Sequence, residues 1–425
     1  MQDETPKGWD KVPLKRLIKD IGDGGTPARS EPSYFGGSVN WVVINDIVPH
    51  IRKTEETLTV KGLNSCGAKL WPAGSIIVST GATIGEAGIA DIPMATKQGI
   101  TGIVLDSSKL NNDFFRYQLE FNKDLLIRFS QGTSFTEIRP PTLIKLEFLY
   151  PKSVKEQQKI AAILQSIDNT IEKTKELIEK HKKMKQGLMK DLFTKGLDEN
   201  GKPHSEFRDS DLGKIPKEWD VKTILQAAKN KNEAVQTGPF GAQLHSYDYV
   251  DEGIPLILIR NIINGEISDQ IIPHITQKKA NTLRRYWIKE GDIVFSRVAD
   301  VGRSAVAGKQ HNGWLISGQM LRVRLSNPAI SNLFVKYLIE SKSFQDALRF
   351  KILGSTRDSI NTEILESMPI AIPDLKEQNR ISETLYSLDA KMNSEQTYSH
   401  KLIKLKAGLM QDLLTGKVRV KMEPN

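Results

Sequence analysis

The side chains of this sequence that could do covalent chemistry do not fall into any spacing that performs it. Gly-Lys, the core of a phosphate-loop signature, occurs at Gly201-Lys202, Gly213-Lys214, Gly308-Lys309 and Gly416-Lys417, but the residues that follow are Pro203, Ile215, Gln310 and Val418. None offers the hydroxyl that G-x-x-x-x-G-K-[ST] presents to a magnesium ion. The signatures G-x-G-x-x-G, H-E-x-x-H and G-x-S-x-G are absent, and with them the dinucleotide, zinc-hydrolase and serine-hydrolase chemistry they carry. An adenine methyltransferase would have Asn-Pro-Pro before an aromatic residue, whereas the one Pro-Pro here sits in Arg139-Pro140-Pro141-Thr142. The 7 histidines lack ligand spacing, so no catalytic residue, metal or cofactor is assigned to this chain.

What recurs instead is hydrogen-bonding chemistry on glycine-relieved loops. In the first half the loops are Gly24-Gly25-Thr26-Pro27, Ser79-Thr80-Gly81-Ala82-Thr83, Lys97-Gln98 and Gln131-Gly132-Thr133-Ser134. In the second they are Thr237-Gly238-Pro239-Phe240, Ser296-Arg297-Val298, Ser317-Gly318-Gln319 and Gly354-Ser355-Thr356-Arg357, and Arg260 and Arg303 join them as candidate contacts. Glutamine pairs bidentately with adenine and arginine with guanine at base edges, while Ser, Thr and backbone N–H groups suit phosphates. Each loop alone is weak evidence, since Gly/Thr turns are more often just turns; their matched placement in both halves marks them as a set.

The bulk properties suit an acidic partner. A formal net charge of +9, from 60 Lys and Arg against 51 Asp and Glu, favours nucleic acid among large partners, with a merely solvated basic surface as the alternative. At 425 residues the chain exceeds what one core fills, so two domains are expected. The single cysteine, Cys66, forms no intramolecular disulfide and fits a reducing cytoplasm. The longest aliphatic runs, such as Ile254 to Ile259, are strand-length rather than membrane-length.

The elements that must position these loops are revealed by a repeat. Lys155 to Thr194 aligns with Lys376 to Thr415 at a constant shift of 221, with 16 identities in 40 positions and no gap. Upstream the shift wanders: Trp9 pairs with Trp219 (210), Gly85 with Gly302 (217) and Gln98 with Gln319 (221). A segment that tolerates no length change reads as a rod, and one that drifts reads as a domain with variable loops. The rod has heptad spacing. Its seam in the first copy is Ile160, Leu164, Ile167, Ile171, Thr174, Ile178, His181, Lys185, Leu188 and Leu192. In the second it is Ile381, Leu385, Leu388, Met392, Glu395, Ser399, Leu402, Lys406, Leu409 and Leu413, with Tyr398 and Leu405 off it. "GSIIVSTGATIG" and "GDIVFSRVADVG" read as strands delivering loops, with short helices following, so each domain mixes α and β.

The expected architecture is α+β: two similar α/β domains separated by a pair of long antiparallel coiled-coil helices with pseudo-twofold internal repetition. The boundaries read as domain 1 over 1–151, helix 1 over 152–194, a linker over 195–214, domain 2 over 215–373, and helix 2 with its tail over 374–425. Forty helical residues span at most ~60 Å. Two unlike readers at a fixed separation suit two unlike half-sites on duplex DNA, which lie ~34–36 Å or a multiple apart.

The chain resembles the DNA-specificity subunit of type I restriction-modification enzymes over essentially its full length. The residues that carry this are Pro6-Lys7-Gly8-Trp9 and Pro216-Lys217-Glu218-Trp219 opening the halves, Pro151 then Glu156-Gln157 and Pro373 then Glu377-Gln378 before the helices, Gly-Leu-Met-x-Asp-Leu-x-Thr at each helix exit, and the ending from Leu413 to Val420. The resemblance implies two target-recognition domains reading an asymmetric bipartite site. It also implies helices that dock two methyltransferase subunits using S-adenosylmethionine, and further assembly with two ATP- and Mg-dependent restriction-translocase subunits. A non-DNA-binding protein spacer and a methylation-only defence system built on the same subunit type stay open as alternatives. The second half departs by offering Gln236-Thr237-Gly238-Pro239-Phe240-Gly241 in place of Gly-Gly-Thr-Pro, so its first loop is expected to contact DNA differently.

Overall fold

The computed structural model of the chain describes residues 5–130, 136–297, 303–353 and 360–422. It divides into two compact units, one of residues 1–174 with 398–425 and one of residues 175–397. Both boundaries fall within long helices, Val154–Lys195 and Leu375–Leu414. No helix among the described residues is long and apolar enough to cross a membrane.

The first unit is framed by a five-stranded sheet in which Ile76–Ser79 lies between Ile100–Leu105 and Ala87–Ala90, with Ile18–Asp23 outside Ile100–Leu105. A second sheet pairs Phe35–Val42 parallel to Met94–Thr96. Ile76, Ile77 and Val78 are all buried, which is why this strand is a continuous β-branched run rather than an alternating one. The second unit repeats the plan. Ile293–Ser296 lies between Met320–Val323 and Ser304–Val306, with Val235–Thr237 outside, and Ile254–Ile257 pairs parallel to Leu315–Ile316. In each unit one further antiparallel pair brings the domain's start to its end: Trp9–Pro13 with Glu147–Pro151, and Asp220–Thr223 with Pro369–Ile372.

Within each unit the two long helices run antiparallel in one register. In the first, Lys406 Nζ lies 2.9 Å from Asp168; in the second, Lys185 Nζ lies 2.6 Å from Asp389. The residue numbers of each pair sum to 574 (168 + 406 and 185 + 389), so the sequence shift of 221 reappears as a shared pairing rule. Ile160, Leu164, Ile171, Ile178, Leu192, Ile381, Leu385, Leu402 and Leu413 are buried, while Ile167, Leu188, Leu388, Met392 and Leu409 are half-buried. The polar centre is buried too: Thr174, His181 and Ser399 are each under 8% exposed. Tyr398 and Leu405 face outward at 48% and 50%.

A matched ionic cluster fixes each domain to its helix pair. Tyr117 donates to Asp168 at 2.7 Å and Lys406 reaches Glu120 at 2.6 Å, with the Arg116 guanidinium 3.9 Å from the Tyr117 ring. In the second unit Tyr337 donates to Asp389 at 2.8 Å, and Lys336 bridges Glu340 at 3.1 Å. Burial, then the Asp389 carboxylate, holds the Tyr337 phenol protonated well past its ordinary range. Burial does the same for Tyr117, with Arg116 opposing and Asp168 adding to it. Both phenols are therefore fixed donors to their helix carboxylates.

One buried histidine is expected to make the stability of the second unit depend on pH. His311 is buried, packs edge-on to Trp314 and accepts the Gly308 N–H through Nδ1 at 3.0 Å. Burial lowers its pKa from the ordinary histidine value, with the Asp269 charge opposing. Below pH ~6.5 the unfolded chain binds a proton that the folded one refuses, so stability falls as pH falls through that range. Lowering the pH from 7.5 to 5.5 is expected to lower the melting temperature, and His311→Asn, which keeps an acceptor, is expected to flatten the decline. Parallel pH profiles of the two proteins would show no difference if His311 were not the group involved.

Candidate nucleic-acid interface

In each domain the central strand ends in a turn that is tied by backbone hydrogen bonds to two further loops. In the first domain Thr80 N donates to Gly99 O at 2.9 Å, Gly24 N to Ile100 O at 3.0 Å and Gly25 N to Thr96 O at 2.9 Å, while Ile138 N closes on Thr80 O at 2.9 Å. The glycines are required by packing: a Cβ on Gly24 would lie 2.2 Å from Lys97 O and Thr96 O, and one on Gly25 would lie 2.5 Å from Ala68 N. The Trp41 indole donates to Gly25 O at 3.0 Å. In the second domain Arg297 N donates to Gln319 O at 3.1 Å, Gly238 N to Met320 O at 3.0 Å and Ile360 N to Arg297 O at 3.2 Å. A Cβ on Gly238 would lie 2.0 Å from Ser317 O. Three loops thus meet at one edge of each domain, held by backbone so that side chains can vary.

The strand registers set the equivalences. Ser79 pairs with Ile100 and Ser296 with Met320, which places Thr80 with Arg297, Gly24 with Gly238, and Gly99 with Gln319. Gln98 and Gln319, aligned with each other by sequence at a shift of 221, therefore stand one position apart. The shift is 220 here and at Tyr117 and Tyr337, and reaches 221 only by the helices. A single-residue length difference between these points is invisible to motif matching.

Not every candidate faces outward. Ser79, Thr80 and Ser296 are at most 1% exposed; Thr80 Oγ1 meets Thr101 Oγ1 at 3.2 Å, and Ser296 Oγ accepts Arg303 N at 3.1 Å. Gly25 is buried as well. These four build the edge and are withdrawn as direct contacts, because groups so enclosed present almost no surface to a ligand. Thr26, Thr83, Lys97, Thr237 and Arg297 are half-buried, and Gln98, Arg260, Arg303 and Gln319 are exposed. Thr133, Ser134, Ser355, Thr356 and Arg357 lie outside the described residues.

The folded edge also gathers residues that no motif picked out. Arg285, exposed, is held by Gln236 Oε1 at 2.6 Å, and Gln236 in turn donates to Thr237 O at 2.9 Å. Arg29 follows the first loop, with its guanidinium bonded to Glu56 at 2.8 Å and 5.2 Å from the Trp41 ring. Asn45 and Arg260 are both exposed in matching turns, in which Asp46 accepts Val43 N at 2.8 Å and Asn261 accepts Leu258 N at 3.2 Å. Beneath Arg285, Arg322 is almost fully enclosed, and burial, then the neighbouring Arg324, brings its pKa down to about 10. Arg324 keeps its charge through Asp292 at 2.6 Å and Glu233 at 2.9 Å.

Known proteins share the duplicated domain plan. The family described as the type I restriction modification DNA specificity domain matches twice, at residues 6–182 and 216–404. The type I restriction enzyme MjaIX specificity subunit of Methanocaldococcus jannaschii is 25% identical over 430 residues, covering 98% of this chain and 95% of the relative. The EcoKI specificity subunit of Escherichia coli K12 is 21% identical over 406 residues, covering 89% and 81%. Among solved structures, the type I restriction-modification S subunit from M. genitalium superposes with a TM-score of 0.59 at 16% identity, covering 100% of this chain and 98% of that one. A structure from work on complex assembly and conformational transition of the type I system gives a TM-score of 0.59 at 16% identity, covering 98% and 100%.

Proposed function

From the premise that this chain belongs to the type I restriction-modification DNA-specificity family, with the family's domain present twice, we propose that it reads an asymmetric bipartite sequence in double-stranded DNA and scaffolds the subunits that act there. The observation that carries this is the pairing of one frame with two sets of side chains. Equivalent edge positions hold Thr26 and Phe240, Asn45 and Arg260, Gly99 and Gln319, and Arg297 stands where the first domain has the buried Thr80, whereas the helices keep a single register in both units. A frame that repeats while its readers diverge suits two unlike half-sites.

The DNA-facing residues in this reading are Thr26, Thr83, Lys97 and Gln98 in the first domain and Thr237, Arg260, Arg297, Arg303 and Gln319 in the second, with Arg29, Asn45 and Arg285 added. The helices carry exposed apolar side chains away from their seams: Tyr398, Ile403 and Leu405 in the first unit, Met184 and Tyr386 in the second. Such outward groups suit docking by two methyltransferase subunits. Methyl transfer from S-adenosylmethionine and ATP- and Mg-dependent cleavage belong to partner subunits, two methyltransferases and two restriction-translocases. This chain contributes no catalytic group and works in the cytoplasm.

Reconstitution with the neighbouring methyltransferase subunit is the test. The complex is expected to methylate adenine in one gapped motif, and the methyltransferase alone is expected to methylate none. Equal methylation with and without this chain would refute the proposal.

A further inference from the structure

Phe240 is the side chain on the second domain's edge that hydrogen-bonding logic leaves unused. It stands where the first domain has Thr26, two residues beyond the glycine whose N–H donates to Met320 O as the Gly24 N–H donates to Ile100 O. It is 51% exposed, although burying a phenylalanine stabilises a fold by roughly 1.5–3 kcal/mol. It is also held rigidly. Its N–H donates to Gln243 Oε1 at 3.3 Å, and that same oxygen accepts the Tyr286 hydroxyl at 2.8 Å. Gly238 locks the preceding backbone against Ser317, and the Arg297 guanidinium lies 4.9 Å from the ring centre. The ring is thus an apolar face fixed in place beside the Arg297 guanidinium.

We propose that Phe240 is a specificity-determining residue that reads the C5 methyl group of one thymine in the half-site contacted by the second domain, with Arg297 as the positioning residue stacked on its ring. The inference rests on the DNA-reading function proposed above and adds a base identity to it. A phenyl ring has no conventional hydrogen-bond donor or acceptor, so its selective contact at a base edge is with apolar surface. On the major-groove edge that surface is the thymine methyl. Stacked cation and ring pre-organise each other, and a pre-organised contact loses little entropy on binding. Thr26 at the equivalent position has a hydroxyl as well as a methyl, so its contact is not confined to apolar surface.

The test uses the assembled complex of this chain with its methyltransferase and a duplex containing the methylated motif. Each thymine of the motif is replaced singly by deoxyuridine, which lacks only the methyl group. The wild-type complex is expected to lose about fourfold in affinity at one thymine, the factor of one buried methyl group. In the Phe240→Ala complex that thymine and deoxyuridine are expected to bind alike, while Phe240→Leu retains a preference. A uniform weakening of Phe240→Ala with the deoxyuridine penalty intact, or a second half-site without any thymine, would overturn the inference and leave the DNA-reading function standing. A wild-type complex that bound motif and scrambled duplex equally would remove that function and this inference with it.

Discussion

Gly238→Ala is expected to abolish methylation at the target motif while leaving the chain folded and bound to its methyltransferase. The added Cβ would sit 2.0 Å from Ser317 O and 2.4 Å from Ser317 C. The obstacle is backbone, so no rotamer change relieves it. Overpacking of this kind costs about 1–3 kcal/mol, which a domain with a large core survives. The edge does not survive it, because the Thr237 to Phe240 loop must separate from the Ser317 to Gln319 turn, and Gly238 N loses Met320 O. Each misread base pair is worth about 1–3 kcal/mol, so displacing a loop that bears two or three contacts should weaken specific binding on the order of a hundredfold or more. Gly24→Ala, blocked by two carbonyl oxygens at 2.2 Å, is expected to do the same to the other half-site. Methylation assays beside circular dichroism and co-purification would separate lost reading from lost folding. Full methylation by Gly238→Ala would show that the edge plays no part.

The second large effect is on stability. Glu377 is 3% exposed and accepts three donors: Leu197 N at 2.7 Å, His204 Nε2 at 3.1 Å and the Trp219 indole at 3.1 Å. Through these it ties the chain leaving one helix and the tryptophan opening the second domain to the start of the other helix. Glu377→Ala removes the acceptor of three donors, the Trp219 indole buried and the Leu197 N–H and His204 on half-buried residues; at about 1–3 kcal/mol for an enclosed unsatisfied donor, and less where water reaches the group, a loss of roughly 3–5 kcal/mol is expected. Among the described residues the equivalent Glu156 has one partner side chain, the Arg419 guanidinium at 2.7 and 2.8 Å, and the Trp9 indole nitrogen has no hydrogen bond. Glu156→Ala is therefore expected to cost distinctly less. Thermal melts of both variants would contradict this account if the two losses were equal.

Much of this was legible in the sequence because duplication carries its own control. A gap-free shift of 221 over the helices exposed a rod, and that shift reappears as the common pairing of Lys406 with Asp168 and Lys185 with Asp389. The loops at Gly24, Thr80, Gly238 and Arg297 were legible as polar turns after β-branched runs, since that pattern reflects the local end of a strand. Side-chain direction was not legible. A serine ending a buried strand looks the same in sequence whether it faces solvent or core, so Ser79 and Ser296 read as contacts until their burial was seen. Arg285 was missed because its place beside Thr237 depends on a tertiary bond to Gln236 across 49 residues. Phe240 was in plain view within its loop, but polar contact rules gave it no role.

The central claim is that this chain alone chooses where its complex acts on DNA. Single-molecule methylation mapping of cells carrying the gene and its methyltransferase, against cells lacking only this gene, tests it most directly. Loss of methyladenine at a single asymmetric, gapped motif is the expected result. Persistence of every methylated motif, with the methyltransferase demonstrably present, would contradict it.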